Sequence, residues 1–487
     1  MKRTIKYLLT VTLLTAGVWV TSCDEAIEMP GPSGDQFETV AGTYGYVRNV
    51  LEPRSTTTLE LYNSQPGTTE IYFGMTRPAA KTMSVTFAFD ATALDEYNRS
   101  HATTYELYPE SAVTLQSDGR TLVNTGSQTS SPIRVTVAPS AEVTDGKSYA
   151  VPLRLTPSDA SVTMQAGEDI YMLLVRDMGS IPDASKASGI KIISCMEVND
   201  TNPLNNLEFT LKNSGKMLVD IVVLFASNMN YDAATGRVYI SNNENIQHLL
   251  DHRDTYLKPL QARGMKVVLA MMGNHDQAGV SGLADETARA FARDLKNLCE
   301  AYELDGIFWD DEYSDYAGGP GFVYPASSEA AARLIYETKK AMPDKLNLVY
   351  MAYAVNTWEQ QIPGLLNTLP DVDGVQAGAY VDYAINDYRM ADFPNHNGIR
   401  WEQVAIYPEE YAKNVFNLIF EGEDEYEQMR EKGCGAHMIF AMDPTRANFQ
   451  EPASGSSCTQ LQSMQNIAVH LFGDQLVWSG KTYSKDW

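Results

Sequence analysis

The sequence predicts an α/β protein in which a β-sandwich precedes a (β/α)8 TIM barrel, and three observations support this prediction. The chain has 487 residues, which is enough for two or three domains. Residues 37–177 contain several runs that alternate apolar with polar or small side chains, for example Met83–Phe89. From residue 190 onwards, eight strand-like runs alternate with helical stretches, as expected for a barrel of parallel strands.

Composition and charge exclude several classes of protein. Hydrophobic residues make up 44% of the chain and charged residues 20%, so we expect a globular protein with large cores. There are 37 Lys and Arg against 62 Asp and Glu, which gives a net charge of −25. This charge argues against nucleic-acid binding and against electrostatic attachment to anionic lipids. Five cysteines are too few for a disulfide scaffold.

Residues 1–22 predict a signal peptide that is removed. Three basic residues precede the apolar stretch Leu8–Val20, whose 13 residues are too few to span a bilayer, which needs about 20. The following Thr-Ser-Cys resembles the end of a bacterial lipoprotein signal, and this resemblance implies lipidation of Cys23. The alternative is an ordinary secretory signal with a chance cysteine. We therefore expect an outer-membrane lipoprotein facing the cell surface, held only through its lipid, with the Pro- and Gly-rich residues 23–36 as a tether.

The segment 37–177 predicts the β-sandwich domain. Its short strands are separated by clusters of Gly, Pro, Ser and Asn, and one helix is expected near Thr92–His101. The segment resembles the domain that often precedes catalytic domains in glycan-foraging surface lipoproteins. It contains no catalytic constellation, so a spacer or docking role and carbohydrate binding are both open.

A linker of small residues, 178–189, leads to the predicted barrel, 190–487. Apolar residues at helical spacing predict a helix over Ala288–Tyr302 and another that ends at Gly264. The helix after the sixth strand is not evident. The eight predicted strands are Ile190–Glu197, Met217–Ala226, Met265–Gly273, Leu304–Glu312, Leu346–Ala352, Val372–Tyr380, Trp401–Tyr407 and Gly435–Asp443.

The fourth predicted strand carries the candidate catalytic residues. Alternate residues of a strand share a face, so Phe308, Asp310 and Glu312 are expected to point together into the barrel, near its carboxyl-terminal mouth. The Cα atoms of the two acids would be about 6.6 Å apart. Mutual repulsion and burial raise the pKa of one carboxyl, which can then act as a general acid beside a charged neighbour. The alternative is that acids at a strand end merely cap a turn.

The run Asp305–Tyr316 resembles the glycoside hydrolase family 18 signature, DGxDxDxE, which ends a fourth barrel strand. The matching residues are Asp305, Gly306, Asp310 and Glu312. Phe308 departs from the signature, since the family usually has an Asp there. Without that Asp, we expect Asp310 to face Glu312 more permanently, so that the pH behaviour changes and activity is retained.

Five further segments narrow the resemblance to endo-β-N-acetylglucosaminidases of the Endo H type. They are Met272–Gly279, Ser227–Asp232, Asn243–Asn245, Glu197–Pro203 and Met442–Asp443. The likeness spans residues 190–471. It implies hydrolysis of the GlcNAc-β1,4-GlcNAc core of N-linked glycans on glycoproteins, with a preference for high-mannose glycans.

The resemblance also implies a retaining, substrate-assisted mechanism. Glu312 would protonate the bridging oxygen and later activate water, while the 2-acetamido oxygen of the substrate forms an oxazolinium. Asp310 would accept the acetamido N–H and stabilise the positive charge. Tyr380, at the end of the sixth predicted strand, would bond the acetamido oxygen; the alternative is an aromatic residue at the rim.

Three more residues are candidate substrate ligands. Asn274 and His275 follow the third strand and would line the substrate groove, unless they are structural loop residues. Asp443, after the eighth strand, would bond a sugar hydroxyl. By parity, Trp309 should face the helices and pack there.

No cofactor, metal or nucleic acid is expected, because no ligand spacing, CxxC pair or phosphate-binding glycine loop is evident. Neighbouring glycan-uptake proteins of the cell surface are candidate partners. Two alternatives to the endoglycosidase stay open. A chitinase would share the mechanism but needs a long groove, and a non-catalytic glycan-binding lipoprotein would have no need of both Asp310 and Glu312.

Overall fold

The computed structural model describes residues 42–165, 167–351, 354–356, 361–386, 397–410, 423–452 and 458–487. The predicted signal peptide, the tether and Cys23 therefore lie outside the described residues. In the described part of the chain, no helix is long and apolar enough to cross a bilayer.

The amino-terminal domain is a sandwich of two β-sheets, as predicted. Its strands are β1 (Thr43–Asn49), β2 (Thr56–Leu61), β3 (Gly67–Met75), β4 (Met83–Phe89), β5 (Glu106–Leu107), β6 (Val113–Leu115), β7 (Arg120–Val123), β8 (Ile133–Val137), β9 (Ser148–Pro157), β10 (Val162–Met164) and β11 (Ile170–Asp177). One sheet has the order β10-β1-β3-β8-β6, and the other has the order β2-β11-β9-β4-β7 with β5 paired to β9. The predicted helix is confirmed as α1 (Ala93–His101).

The alternating side chains explain how the two sheets pack. In β4, Met83, Val85 and Phe87 are buried between the sheets while Ser84 and Ala88 are exposed. Burial of a side chain the size of Phe87 contributes about 2–3 kcal/mol. Strand β11 is buried on both faces, because its second face packs with α1 in a smaller apolar cluster.

The carboxyl-terminal domain is a closed barrel of eight parallel strands. The strands of this domain are β12 (Lys191–Glu197), β13 (Phe209–Leu211), β14 (Ile221–Asp232), β15 (Arg237–Ser241), β16 (Lys266–Met272), β17 (Gly306–Trp309), β18 (Leu346–Met351), β19 (Ala354–Asn356), β20 (Gln361–Pro363), β21 (Tyr383–Asn386), β22 (Val404–Glu410), β23 (Ala436–Phe440) and β24 (Leu476–Trp478). Around the barrel the order is β12-β14-β16-β17-β18-β21-β22-β23, and β23 pairs with β12 to close it.

Helices lie between most of the barrel strands. They are α2 (Glu244–Asp251), α3 (Arg253–Tyr256), α4 (Lys258–Gln261), α5 (Asp285–Tyr302), α6 (Ser328–Ala341), α7 (Ala377–Tyr380), α8 (Glu423–Lys432) and α9 (Gln460–Phe472). The predicted helix over 288–302 is α5, and its apolar stripe is buried against the barrel. Helix α9 begins with a reciprocal cap between Thr459 and Gln462 and ends at Gly473, which has a positive φ. In the described residues between β21 and β22, only a 3-10 turn, Trp401–Gln403, is present.

The prediction of the sixth strand at Val372–Tyr380 is wrong. Val372 pairs with Val375 across a tight turn in which Asp373 and Gly374 have positive φ, and α7 follows directly. An Asp-Gly pair between apolar residues is a strong turn signal, and here it interrupts the apolar run. The sixth strand is β21, which begins three residues after Tyr380.

The side chains of β17 alternate between the inside and the outside of the barrel, as predicted. Phe308 lies in the apolar cluster that fills the inside of the barrel. Trp309 belongs to the outer cluster between strands and helices, and its indole N–H donates to Asn347 Oδ1 at 2.7 Å. The barrel is therefore a filled core, and its mouth is the place where polar side chains can meet a ligand.

The sandwich packs against the amino-terminal end of the barrel. Three carboxylates that lie just before β17, β18 and β21 accept hydrogen bonds from the sandwich side. The pairs are Arg176–Asp305, Tyr105–Asp344 and Arg54–Asp382. Since these residues precede the strands, the sandwich covers the end opposite the carboxyl-terminal mouth.

Candidate active site

The two predicted catalytic acids directly follow β17. The strand ends at Trp309, but the Asp310 N–H still donates to the Met271 carbonyl at 3.1 Å, so the chain keeps its direction beside β16. Asp310 is 4% exposed. Burial, and then the charges of Asp310 and Glu197, raise the pKa of the Cys195 thiol inside the barrel. The Asp310 side chain therefore lies at the top of the barrel interior.

Glu312 lies nearer the surface of the mouth and is half-buried. The charge of Glu312 raises the pKa of the Tyr313 phenol, with smaller contributions from burial and from the charges of Asp310 and Glu197. Three carboxylates thus act on one phenol. Burial, followed by the charge of Asp200, also raises the pKa of Glu197. This concentration of negative charge suits a site that stabilises positive charge developing on a substrate.

The loop after β16 is joined to the loop after β17 by backbone hydrogen bonds. Gly273 N–H donates to the Glu312 carbonyl at 2.9 Å, and His275 N–H donates to the Tyr313 carbonyl at 2.6 Å. Further along, Asp315 N–H donates to the Asp276 carbonyl at 2.8 Å. The backbone of Glu312 is therefore held by the neighbouring loop.

Asn274 and His275 lie on this same loop, beside Glu312, and both are exposed. The ring of His275 lies 5.2 Å from that of Tyr313, and Asn274 Nδ2 donates to Asn230 Oδ1 at 3.0 Å. The structure brings both residues to the mouth, where a sugar could reach them. Their contact with substrate stays a prediction.

Tyr380 does not lie at the mouth, so the expected contact with the acetamido oxygen is wrong. It belongs to α7, before β21, two residues from Asp382, which faces the sandwich. The side chain is buried, and its hydroxyl donates to the Pro370 carbonyl at 3.0 Å. The error follows from the misassigned sixth strand, because a residue before a barrel strand lies at the opposite end from one after it.

Asp443 lies beyond β23, but its side chain is engaged within the protein. It is buried, and its carboxylate accepts hydrogen bonds from Thr445 N at 2.9 Å and Thr445 Oγ1 at 2.6 Å. Its other oxygen pairs with Arg446 Nε at 3.1 Å, and Arg446 also reaches Asp200 at 3.0 Å. Through Arg446, Asp443 links the eighth-strand loop to the first-strand loop, and its contact with a sugar hydroxyl stays a prediction.

Three residues of the site were missed by the sequence prediction. Glu197 ends β12 and shares the inward parity of Ile193 and Cys195, which could have revealed it. Tyr350 faces the interior from β18, next to the register pair Trp309–Val349. Glu197 and Tyr313 lie in segments that carry the family resemblance, but the resemblance assigns no role to either.

The cysteines of the described residues are buried thiols. Cys195 and Cys299 are buried and not in disulfides, as are Cys434 and Cys458. Burial raises the pKa of Cys299 to about 12, so this thiol is protonated and packs like a small apolar group. Within the described ranges, no group of three or more His, Cys, Asp and Glu side chains could hold a metal ion.

Known proteins resemble the chain over both domains. A family model for an N-terminal domain matches residues 42–162. Endo-β-N-acetylglucosaminidase F1 of Elizabethkingia meningoseptica is 49% identical over 312 residues, which are 63% of this chain and 85% of that protein. An endo-β-N-acetylglucosaminidase of Flavobacterium sp. (strain SK1022) is 33% identical over 41% of this chain and 59% of that protein.

A solved structure extends the similarity to the whole architecture. EndoBT-3987 of Bacteroides thetaiotamicron with a Man5GlcNAc product superposes with a TM-score of 0.79 at 32% identity, covering 91% of this chain and 97% of that one. The same protein in complex with a Man9GlcNAc2Asn substrate gives a TM-score of 0.70 at 30% identity, with the same coverage.

A closed barrel with carboxylates following its fourth strand, together with these similarities, defines a glycoside hydrolase. Within that class, the chain belongs to the endo-β-N-acetylglucosaminidases of glycoside hydrolase family 18.

Proposed function

We propose that this protein hydrolyses the bond between the two core GlcNAc residues of N-linked, high-mannose glycans and leaves one GlcNAc on the glycoprotein. The relatives support this substrate, since EndoBT-3987 was solved with a Man5GlcNAc product and a Man9GlcNAc2Asn substrate. The main structural support is the position of Asp310 and Glu312, which follow the fourth barrel strand at the mouth, with Asp310 buried and Glu312 half-buried.

The two acids have different surroundings and therefore different roles. Glu312 is accessible to solvent, so it can protonate the bridging oxygen and then take a proton from water. Asp310 lies deeper, where its carboxylate accepts the acetamido N–H and directs the carbonyl oxygen toward the anomeric carbon. The resulting oxazolinium is positive, and the nearby negative charges of Asp310 and Glu197 stabilise it. The stereochemistry at the anomeric carbon is retained, because two inversions occur.

Product masses test this function. The protein lacking residues 1–22 is incubated with a high-mannose glycoprotein and with chitin oligomers, and we expect the glycoprotein to lose its glycan except for one GlcNAc. Cleavage of chitin alone would favour the chitinase alternative. Binding of glycan without cleavage of either substrate would favour the non-catalytic alternative.

Variants test the two roles. Glu312→Gln should lower kcat about 10³-fold, within the range for loss of a general acid. Asp310→Asn should lower kcat about 10²- to 10³-fold. Glu300→Gln is the control, since Glu300 is an exposed carboxylate paired with Lys296 on the outside of the barrel. Full activity of the Glu312 variant would reject the assigned acid.

We also propose that the mature protein is anchored to the outer membrane by lipid on Cys23 and faces the cell surface, beside glycan-uptake proteins. The sequence features of residues 1–23 support this location. Metabolic labelling with a radioactive fatty acid should label the wild type and not Cys23→Ala. Degradation of the protein by protease added to intact cells supports a surface location, and protection contradicts it.

A further inference from the structure

Asp311, between the two catalytic acids, points away from the mouth into a buried polar cluster. It is 2% exposed. Its carboxylate accepts one hydrogen bond from the Ser281 hydroxyl and one from the Tyr316 hydroxyl. The backbone N–H of Ser281 donates in turn to the Tyr316 oxygen at 3.1 Å. We call Asp311, Ser281 and Tyr316 the clamp.

The clamp closes the loop that carries Glu312. Tyr316 lies five residues after Asp311, so their hydrogen bond joins the two ends of the segment containing Glu312. Two residues of this segment, Tyr313 and Tyr316, have φ of +59° and +51°. Such conformations are uncommon for residues other than Gly, and they persist where surrounding contacts hold them.

The clamp is fitted to its surroundings. A Cβ atom at Gly279 would lie 2.7 Å from Tyr316 Cε1, and one at Gly282 would lie 2.7 Å from Tyr316 Cδ1. The Tyr316 ring therefore lies directly against two glycines of the loop after β16. Ser281, between them, is fully buried and supplies the second hydroxyl. The position of the phenol is thus fixed by packing as well as by hydrogen bonds.

We propose that Asp311 is a positioning residue, which holds the backbone of Glu312 so that the acid reaches the bridging oxygen. This inference rests on the proposed function, in which Glu312 is the general acid. An ionised carboxylate can accept from both hydroxyls, whereas the amide nitrogen of an Asn cannot accept from either. A misplacement of about 1 Å at a reacting group can lower the rate about 10²-fold.

The clamp should also respond to pH. Burial raises the pKa of Asp311 to about 6, while the hydrogen bonds from Ser281 and Tyr316 lower it. These two hydroxyls face the carboxyl, and Asp310 and Glu312 flank it in the chain. Below pH 6 one carboxyl oxygen gains a proton and becomes a donor and a weaker acceptor, so its hydrogen bond from a hydroxyl weakens and Glu312 is held less firmly. The effect of Asp311 on stability is separate from its effect on catalysis. Because the pKa of Asp311 in the folded protein lies above the usual 3.8, its contribution to the free energy of unfolding decreases as the pH rises from 3.8 to 6.

Four variants test the proposal, with kcat, KM and melting temperature measured from pH 4.5 to 8 on a high-mannose glycoprotein. Asp311→Asn should lower kcat about 10²-fold, with KM within threefold of the wild type. Ser281→Ala and Tyr316→Phe each remove a donor, so the acid limb of the kcat profile should move to higher pH. Ser314→Ala is the matched control, because Ser314 is equally buried in the same loop pair and its hydroxyl has no hydrogen-bond partner among the described residues.

Two results would overturn the proposal: kcat of Asp311→Asn within twofold of the wild type, or an acid limb that stays in place while only the melting temperature falls. If the wild type releases no glycan, the proposed function fails instead. The role of the clamp is then tested by comparing the position of Glu312 in crystal structures of the wild type and of Asp311→Asn. A shift of the Glu312 carboxylate by about 1 Å or more supports it, and an unmoved Glu312 rejects it.

Discussion

The guanidinium of Arg176, in the last strand of the sandwich, lies 3.4 Å from the carboxylate of Asp305, the first residue of the catalytic motif. Asp305 is buried at the amino-terminal end of β17 and also accepts from Gln261 at 2.9 Å and from Val267 N at 3.0 Å. The residue that starts the catalytic strand is therefore shared between the two domains. The sandwich is part of the structure that supports β17, at the end remote from the acids.

Replacement of Arg176 by Ala should destabilise both domains together. The buried Asp305 and the half-buried Glu60 would each lose a cation but keep Lys266 nearby, so we expect the free energy of unfolding to fall by at most the value of about 3–5 kcal/mol that is typical of breaking a buried pair. Urea denaturation followed by circular dichroism measures this change. Arg99→Ala is the control, because the Arg99–Glu96 pair is exposed and contributes at most about 1 kcal/mol. Equal effects of the two substitutions would show that the Arg176 contacts contribute little to stability.

The interface should also weaken in acid through Glu60. Burial raises the pKa of Glu60, but the charges of Lys266 and Arg176 outweigh burial and lower the pKa to about 2. Because the folded-state pKa is below the usual 4.5, the stabilisation is complete above pH 4.5 and is lost as the pH falls toward 2. The shift corresponds to about 3 kcal/mol. In urea titrations at several pH values, Glu60→Gln should flatten the acid decline in the free energy of unfolding, and an unchanged decline would contradict this assignment.

Local patterns predicted the parts of the fold that depend on neighbouring residues. Parity alone placed Phe308 inside the barrel and Trp309 outside it. The Val372–Tyr380 run has strand-like composition, but its Asp-Gly pair forms a turn that ends the run, so composition alone predicts the sixth strand in the wrong place.

Contacts between distant segments could not be predicted in the same way. Asp311 bonds Ser281, which lies thirty residues earlier in the chain. Asp443, in contrast, has Thr445 and Arg446 against its carboxylate. The partner of Asp311 depends on how two loops meet, and spacing in the sequence carries no information about that. The partners of Asp443 are instead two and three residues away, in a local turn of the kind that an Asp favours.

Tyr380→Phe should leave catalysis unchanged. The hydroxyl donates to the Pro370 carbonyl at the amino-terminal side of the barrel, so its loss removes one part-buried hydrogen bond worth about 1 kcal/mol. We expect kcat and KM on a high-mannose glycoprotein to equal those of the wild type, with a small decrease in melting temperature. A decrease of kcat by tenfold or more, with the protein folded, would show that the Tyr380 hydroxyl contributes to catalysis after all.

Restoring the family's usual Asp at Phe308 should destabilise this barrel. Phe308 is 2% exposed, and its neighbours inside the barrel form an apolar cluster that includes Ala270, Leu348 and Ile385. Phe308→Asp removes the ring and buries a carboxyl among these side chains, so we expect a loss of about 4 kcal/mol or more.

Phe308→Leu is the matched control, since it keeps an apolar side chain and should lose only about 1 kcal/mol. Urea denaturation at pH 7 compares the two variants. If Phe308→Asp is as stable as Phe308→Leu, the interior can solvate a carboxyl, and the apolar residue is then not required for stability at this position. If Phe308→Asp is much less stable than Phe308→Leu, the interior of the barrel has adapted to Phe308. A single substitution then cannot restore the arrangement usual in the family, in which an Asp at this position accompanies Asp310.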